Sequence, residues 1–196
     1  DQNPNNPGSL GIAISDAIEA VVKSQGNSKY ALGSVLGHVL MHQTINGNEA
    51  LLQMEQAGDY PDIIVGCTGG GSNLSGLMFP FLGQQLRGGS KIDIIGCEPL
   101  SCPSFTKGKY AYDHGDMARM TPLIKMHTLG SDFLPPANHS GGLRYHGMSY
   151  HLSHLYDLGL MRAKAYGQKE CFEAGVIFGK QEGIIPAPEA NHAVKG

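Results

Sequence analysis

The feature that most constrains this chain is an apolar segment that runs directly into three consecutive glycines. The segment Asp62-Ile-Ile-Val-Gly-Cys-Thr is followed by Gly69-Gly-Gly-Ser-Asn. A run of apolar, partly β-branched residues without alternation indicates a strand covered on both faces, as in a parallel sheet flanked by helices. A helix is predicted from Ser72 to Arg87, and a second buried strand is predicted over 91–98. The resulting βαβ unit predicts an α/β fold, with a mostly parallel twisted sheet and helices on both faces.

Periodicity and turn residues locate the remaining elements. Further helices are predicted between Ser9 and Gly26 and over 48–57, 147–158 and 170–182. Further strands are predicted over 30–34, 162–166 and 184–185. Within the helix over 170–182, Phe172, Val176 and Ile177 fall on one face, which is typical of an amphipathic helix. The stretch 99–136 mixes Gly, Pro, Lys and Tyr without periodicity, so irregular structure is predicted there.

Composition excludes several classes of protein. The 196 residues include 14 basic and 17 acidic side chains, and the net charge of −3 offers little attraction for nucleic acid. Gly66, Pro80 and Gly83 interrupt the apolar runs before they reach the roughly 18 residues of a membrane helix, so no membrane partner is expected. Four cysteines without a CxxC pair predict reduced thiols and a cytoplasmic location. The N-terminus lacks an initiator Met and a signal peptide, so we expect a fragment.

The glycine segment predicts an anion site on physical grounds. Glycines allow the backbone to approach an anion closely, and the free N–H groups of the following helix, together with its dipole, point toward that anion. Ser72 and Asn73 would add side-chain donors. The alternative interpretation is a tight connection between strand and helix that binds nothing.

Two other functions remain open at this point. Gly69-Gly70-Gly71 begins like the GxGxxG pattern, and Glu98 ends the next strand where a ribose-binding acid would lie, so an NAD(P)-dependent oxidoreductase is one alternative. The pattern breaks at Leu74, which stands in the place of the third glycine. The other alternative is a non-catalytic fragment that binds an anion. A Walker A loop is excluded because no GK[ST] follows the glycines.

Five blocks of sequence occur in an order that is typical of one enzyme family. They are Gly8-Ser-Leu-Gly-Ile-Ala-Ile-Ser, Tyr30-Ala-Leu-Gly-Ser, residues 62–73, Gly141-Gly-Leu-Arg-Tyr-His-Gly and Glu182-Gly-Ile-Ile-Pro-Ala-Pro-Glu-Ala-Asn-His-Ala. In this order they resemble the tryptophan synthase β chains, most closely the second class of these fold type II pyridoxal phosphate enzymes. The resemblance implies the C-terminal part of such a chain. Residues 1–41 would end the mobile N-terminal domain, and 42–196 would form the C-terminal domain that binds the cofactor phosphate, truncated at its end.

The resemblance also implies a reaction and its partners. The reaction would be the β-replacement of L-serine with indole, which gives L-tryptophan and water and makes the protein a lyase of tryptophan biosynthesis. Pyridoxal 5′-phosphate would be the cofactor, and backbone carbonyls would hold a monovalent cation. The protein would be a homodimer, with the tryptophan synthase α chain as a further partner.

The family pattern assigns roles to two groups of residues. The residues expected to bind the cofactor are Gly69, Gly70, Gly71, Ser72, Asn73 and Glu189. The residues expected on the substrate side are Gly141, Gly142, Leu143 and Arg144. Arg144 departs from the first class of β chains, which carry an aspartate that engages the substrate hydroxyl. Glu189 also admits a capping role, because it precedes His192 by three residues after a Pro-Ala-Pro turn.

The family pattern places no catalytic residue within these 196 positions. The Schiff-base lysine of the family belongs to a segment upstream of Asp1, so the chain alone is expected not to catalyse. No metal site is predicted either. His38 and His42 have the i, i+4 spacing of a helical metal site, but Val39 stands where a metalloprotease would need Glu, and no third ligand is indicated.

Overall fold

The computed structural model describes residues 6–196, which form six α-helices and five β-strands. The helices are α1 (Leu10–Lys23), α2 (Gly37–Ala57), α3 (Ser72–Leu86), α4 (Tyr150–Asp157), α5 (Gln168–Glu182) and α6 (Ala190–Lys195). The strands are β1 (Ile63–Cys67), β2 (Asp93–Pro99), β3 (Lys109–His114), β4 (Leu123–Thr128) and β5 (Arg162–Tyr166). Within the described residues, no helix combines the length and the apolarity that a membrane crossing requires.

A three-stranded parallel sheet forms the centre of the fold, in the order β1-β2-β5. Its two faces are covered by different helices. Gly66 of β1 lies against Leu74 of α3, whereas Val65, one residue earlier, lies against Gly196 at the end of α6. Because successive residues of a strand point to opposite faces, this alternation confirms the predicted α/β fold with helices on both sides of the sheet.

The hydrophobic core lies between this sheet and helices α3 and α4. Its fully buried side chains include Ile64, Ile94, Leu74, Phe81 and Leu152. Each such side chain contributes about 1.5–3 kcal/mol relative to an exposed position. The core therefore fixes the start of α3, and with it the glycine segment that joins β1 to α3.

Local signals place three helix ends where they were predicted, at Ser9, Gly58 and Gly183. The Ser9 hydroxyl accepts a hydrogen bond of 3.2 Å from the backbone N–H of Ile12 and caps α1. Gly58 and Gly183 end α2 and α5 in the left-handed conformation, with φ of 66° and 71°. Helix α2 begins at Gly37, 11 residues earlier than the predicted start at Asn48.

Three sequence predictions about strands are wrong. The stretch 99–136, predicted to be irregular, contains β3 and β4, which pair antiparallel as a separate two-stranded sheet. Conversely, no strand forms over 30–34 or 184–185. Ile185 is 93% exposed and has no neighbouring strand to pair with. The strands of the hairpin are half-exposed and carry charged residues, so they lack the continuous apolar run that reveals a buried strand.

Helix α5 forms as predicted, but its apolar stripe faces outward. Val176 and Ile177 are 56% and 62% exposed. The buried residues of α5 are Cys171 and Gly175, and Gly175 lies directly against Asn191 of α6. Small residues on α5 allow α6 to pack closely on this side.

The domain division expected between residues 41 and 42 remains a prediction. Helix α2 runs continuously across that position. Residues 1–5 of the expected N-terminal segment lie outside the described residues.

Candidate functional site

The glycine segment and the first turn of α3 form a cradle of backbone N–H groups. The first hydrogen bond of the helix runs from Ser75 N to Gly71 O at 3.0 Å. The N–H groups of Ser72, Asn73 and Leu74 therefore precede the helical bonding pattern and can serve a ligand. The dipole of this 15-residue helix favours an anion at the same end. We refer to residues 69–73 as the cradle.

The three glycines of the cradle are required by their surroundings. A Cβ atom at Gly69 would lie closer than 3.0 Å to the carbonyl oxygen of Gly142, a separation that real Cβ atoms essentially never show. A Cβ atom at Gly70 would lie equally close to the hydroxyl of Ser34. The backbone of Gly71 has φ of 106°, a conformation that residues other than glycine rarely adopt. The backbone of the cradle reaches this position only because it carries no side chains.

Ser34 was not predicted as a site residue, yet the structure places its hydroxyl beside the cradle. The connection between α1 and α2 brings it there. Its only sequence signal is its place in the Tyr30-Ala-Leu-Gly-Ser block.

The structure brings Glu189 and the 141–143 turn together at the edge of the cradle. The backbone N–H of Gly142 donates a hydrogen bond of 3.0 Å to Glu189 Oε1. Gly142 also contacts Gly69, so residues from three separate blocks of sequence meet here. Glu189 begins α6, but its side chain makes no capping hydrogen bond to that helix. The carboxylate is therefore directed to the 141–143 turn and not to a helix cap.

Arg144 binds backbone carbonyl groups. Its guanidinium donates hydrogen bonds of 2.8 Å to the carbonyl oxygens of Pro7, Gly8 and Pro135. The carbonyl of Arg144 in turn accepts a hydrogen bond of 3.3 Å from Leu10 N. Arg144 thus connects the start of α1 to the residues expected on the substrate side.

Burial favours the neutral forms of Cys67 and His192, two titratable groups near Glu189. Burial raises the pKa of the Cys67 thiol, and the negative charge of Glu189 raises it further. Burial lowers the pKa of His192, although its Nδ1 contacts the carbonyl oxygens of Pro188 and Glu189 at 3.2 Å. Nδ1 must carry the hydrogen in these contacts, because both partners are acceptors. Neither side chain is an activated nucleophile or an acid at neutral pH.

An apolar cavity of about 270 Å³ lies next to the cradle. Ser149 on its wall donates a backbone hydrogen bond of 2.9 Å to Gly70 O, which joins the two features. Its apolar wall residues include Leu32, Val35, Leu36, Ile124, Met126 and Met148. The cavity therefore suits an uncharged, apolar ligand.

Glu98 does not have the role that a dinucleotide site would require. It is fully buried, and its two carboxylate oxygens accept hydrogen bonds from Phe105 N at 2.9 Å and Thr106 N at 2.8 Å. The Thr106 hydroxyl donates a third bond of 2.6 Å. Burial raises the pKa of Glu98, while these hydrogen bonds lower it. The carboxylate anchors the loop after β2 through these hydrogen bonds, which disfavours the alternative in which Glu98 binds a ribose.

All ten lysines of the chain are exposed; they are Lys23, Lys29, Lys91, Lys107, Lys109, Lys125, Lys164, Lys169, Lys180 and Lys195. A lysine that forms a Schiff base needs desolvation or a cationic neighbour to be nucleophilic. Because all ten are exposed, none of these lysine side chains is desolvated. Within residues 6–196 there is also no group of three or more His, Cys, Asp or Glu side chains that could hold a metal ion.

Comparison with known proteins places this chain in an enzyme family. The family model described as pyridoxal-phosphate dependent enzyme matches residues 15–196. Three relatives named tryptophan synthase beta chain 2, from Aeropyrum pernix, Aquifex aeolicus and Thermotoga maritima, are each 56% identical to the chain. The matches cover 99–100% of this chain but only 43–46% of the relatives. The chain therefore spans less than half the length of these proteins.

A solved structure shares the fold. The crystal structure of a threonine deaminase from T.th. superposes with a TM-score of 0.58 over 80% of this chain and 49% of that protein. The sequence identity is 15%, so this likeness concerns the fold alone.

Proposed function

Because this chain belongs to the family of pyridoxal-phosphate dependent enzymes, we propose that it supplies the phosphate-binding part of a tryptophan synthase β-type active site. The observation that carries the proposal is the cradle at residues 69–73, where three glycines precede the free N–H groups of α3. The relatives named tryptophan synthase beta chain 2 support the choice of reaction. The proposed reaction is the β-replacement of L-serine with indole, a lyase reaction of tryptophan biosynthesis.

In the proposed reaction, the residues of this chain bind the cofactor and orient the substrate. Pyridoxal phosphate, when bound, withdraws electrons from an amino acid substrate and so supplies the chemistry at its α and β carbons. The N–H groups of Ser72, Asn73 and Leu74 hold its phosphate, and the glycines allow the close approach. Glu189, fixed by its hydrogen bond from Gly142, would lie beside the pyridine ring. Residues 141–144 lie on the substrate side.

The apolar cavity is the proposed place for indole. An apolar cavity of about 150 Å³ in another protein stays dry and binds benzene, so about 270 Å³ suits a ligand of two fused rings. Its walls exclude water from the position beside the cradle. They also favour an aromatic acceptor over a strongly polar one, because most of the lining is apolar and few polar groups could replace the lost hydration.

The Schiff-base lysine is proposed to lie outside these 196 residues. The exposure of all ten lysines supports this assignment. The monovalent cation, the homodimer, the tryptophan synthase α chain as partner and the cytoplasmic location follow from the resemblance alone and remain predictions.

The proposal is tested by experiments on a protein that has the full length of the relatives. With pyridoxal phosphate, L-serine and indole it is expected to form tryptophan, and borohydride reduction is expected to fix the cofactor on one lysine outside the present chain. Substitution Asn73→Ala is expected to weaken cofactor binding, whereas Asn48→Ala in α2 serves as the matched control. An adduct on one of the ten lysines named above would contradict the lysine assignment.

The two alternative functions predict other results. An oxidoreductase would bind NAD(P) and lose affinity in the variant Glu98→Gln, but the three hydrogen bonds on Glu98 speak against this function. A non-catalytic anion-binding protein would bind inorganic phosphate and pyridoxal phosphate alike, and L-serine would not change the absorbance of the bound cofactor.

A further inference from the structure

The side chain of Arg144 binds three backbone carbonyl groups, two of which belong to the residues before α1. Three donor contacts of 2.8 Å reach the carbonyls of Pro7, Gly8 and Pro135. Hydrogen bonds from a charged donor are stronger than neutral ones. The planar guanidinium can serve several carbonyls at once, which an ammonium group cannot do with the same geometry. The position before α1 is thus fixed by a single side chain from the site.

Helix α1 has a second attachment, at its middle. The Ser15 hydroxyl donates a hydrogen bond of 2.9 Å to the buried carboxylate of Asp116, and Gly11 O accepts one of 3.2 Å from Met117 N. Gly11 also lies against the ring of His146. These contacts tie α1 to the connection between β3 and β4, whereas Arg144 ties it to the 141–143 turn.

The segment held in this way continues into the wall of the apolar cavity. After α1 the chain passes through residues 24–36, and Leu32, Val35 and Leu36 line the cavity. Ser34 of the same stretch lies against Gly70 of the cradle. Release of α1 would therefore loosen the cavity wall and one neighbour of the cradle together.

We propose that Arg144 is a positioning residue that latches the segment Pro7–Lys23 onto the 141–143 turn and thereby keeps the apolar cavity closed. The latch acts through backbone carbonyls, so it depends on the geometry of the guanidinium and not on the identity of residues 7 and 8. Opening requires the loss of these hydrogen bonds and the exposure of Ile14, the buried apolar side chain of α1, but it leaves intact the core between the sheet and α3, which does not include α1.

Hydrogen exchange of the full 196-residue chain tests the latch. In Arg144→Met, which keeps an unbranched apolar stem but is shorter and removes all side-chain donors, the amides of α1 are expected to exchange at least about tenfold faster. The amides of β1 and β2 are expected to exchange at the wild-type rate. Arg144→Lys, which retains the charge and serves fewer carbonyls, is expected to show a smaller change, and it carries the test if the Met variant fails to fold. Arg87→Met, at an exposed arginine that ends α3, is the matched control.

Two results would overturn the proposal that Arg144 latches α1. One is an unchanged exchange rate in α1 of the Arg144 variants. The other is an equal acceleration in α1, β1 and β2, which would mean a loss of global stability only.

Binding of indole gives a second readout, which rests on the proposed function. The chain contains no tryptophan, so indole fluorescence excited at wavelengths where its eight tyrosines do not absorb carries little protein background. Arg144→Met is expected to weaken indole binding about fivefold or more, the effect of a cavity wall that is no longer held. Indole that binds neither protein would contradict the cavity assignment in the proposed function, while the exchange rates of α1 would still decide on the latch.

Discussion

At the scale of single residues, close contacts explain why particular side chains occupy particular positions. The cradle glycines are surrounded on the sides where a Cβ atom would project, by Gly142, Ser34 and Leu152. In the same way His127 is enclosed by aromatic rings, with Tyr110 stacked on it at 5.0 Å and Tyr156 edge-on at 5.0 Å. Single substitutions at the cradle glycines and at His127 therefore test the importance of these contacts.

Gly69→Ala is expected to impair the cradle. The added methyl group would collide with the carbonyl of Gly142, and relief of the overlap would displace the backbone at a cost of about 1–3 kcal/mol. We expect pyridoxal phosphate to bind at least about tenfold more weakly, as measured by equilibrium dialysis. Gly33→Ala is the control, because nothing lies within 4 Å of its added Cβ atom. Equal affinities of Gly69→Ala and the wild type would show that the cradle does not hold the phosphate.

His127 is expected to make the stability of the protein depend on pH. Both ring nitrogens are buried without a hydrogen-bond partner, and burial lowers the pKa of the ring, an effect that Asp157 partly offsets. The unfolded chain therefore binds a proton near pH 6.5 that the folded chain does not bind. Stability should fall as the pH decreases below this value, by at most about 1.4 kcal/mol per pH unit from this group.

The variant His127→Phe isolates this effect. It is expected to remove the contribution of His127 to the slope between pH 7 and pH 5, and to raise stability because two unsatisfied nitrogens disappear. Urea unfolding at several pH values measures both quantities. His42→Phe, at an exposed position of α2, is the matched control. A slope that persists unchanged in His127→Phe would refute the assignment.

At the scale of elements, helices α2 and α3 pack through glycines. Gly47 lies against the carbonyl oxygens of Gly76 and Leu77, and Gly76 lies against Gln43. The backbones of the two helices therefore approach each other more closely than side chains would allow. This contact supports α3 from the side opposite to β1 and so contributes to the position of the cradle.

Alanine substitutions at two helical glycines are expected to have opposite effects. Gly47→Ala should destabilise the fold by about 1–3 kcal/mol, because the overlap with α3 exceeds the gain in helix propensity. Gly83→Ala in α3 should stabilise it by up to about 1 kcal/mol, because only the mobile end of the Arg87 side chain lies near the added methyl group, at 3.4 Å. Thermal unfolding of both variants provides the measurement. Destabilisation of the same size in both would contradict the packing argument.

The elements also show what the sequence can predict. The unit β1-α3-β2 was predicted because burial on both faces leaves a continuous apolar run that ends in glycines. The hairpin β3-β4 was missed because its strands are half-exposed and their pairing is specified by tertiary contacts. The outward stripe of α5 was not foreseen, since periodicity identifies an apolar face but not the surface that covers it.

For the candidate site, the sequence likewise indicates the residues but not the contacts between them. Sequence blocks identified the cradle, the 141–143 turn and Glu189, and the structure brings these together. The hydrogen bond between Gly142 and Glu189 spans 47 residues, and no local pattern encodes it. The contacts of Arg144 with Pro7 and Gly8, and the position of Ser34 beside Gly70, likewise depend on the folded chain.

At the scale of the whole molecule, the described residues hold the cradle, a turn beside it and an apolar cavity in one continuous arrangement. The match to relatives covers less than half of their length, and much apolar surface is exposed on α5 and at Ile184 and Ile185. In the proposed function, the active site accordingly needs residues that these 196 do not supply, the Schiff-base lysine among them. Phosphate recognition is the step that this chain should perform by itself.

The most direct test of this claim is an amide NMR titration of the 196-residue chain with pyridoxal phosphate, compared with pyridoxal, which lacks the phosphate group. We predict that pyridoxal phosphate shifts the backbone amide signals of Ser72, Asn73 and Leu74, and that pyridoxal at the same concentration leaves them in place. If these three signals stay fixed with pyridoxal phosphate, or move equally with pyridoxal, the cradle does not bind the cofactor phosphate and the proposed function falls.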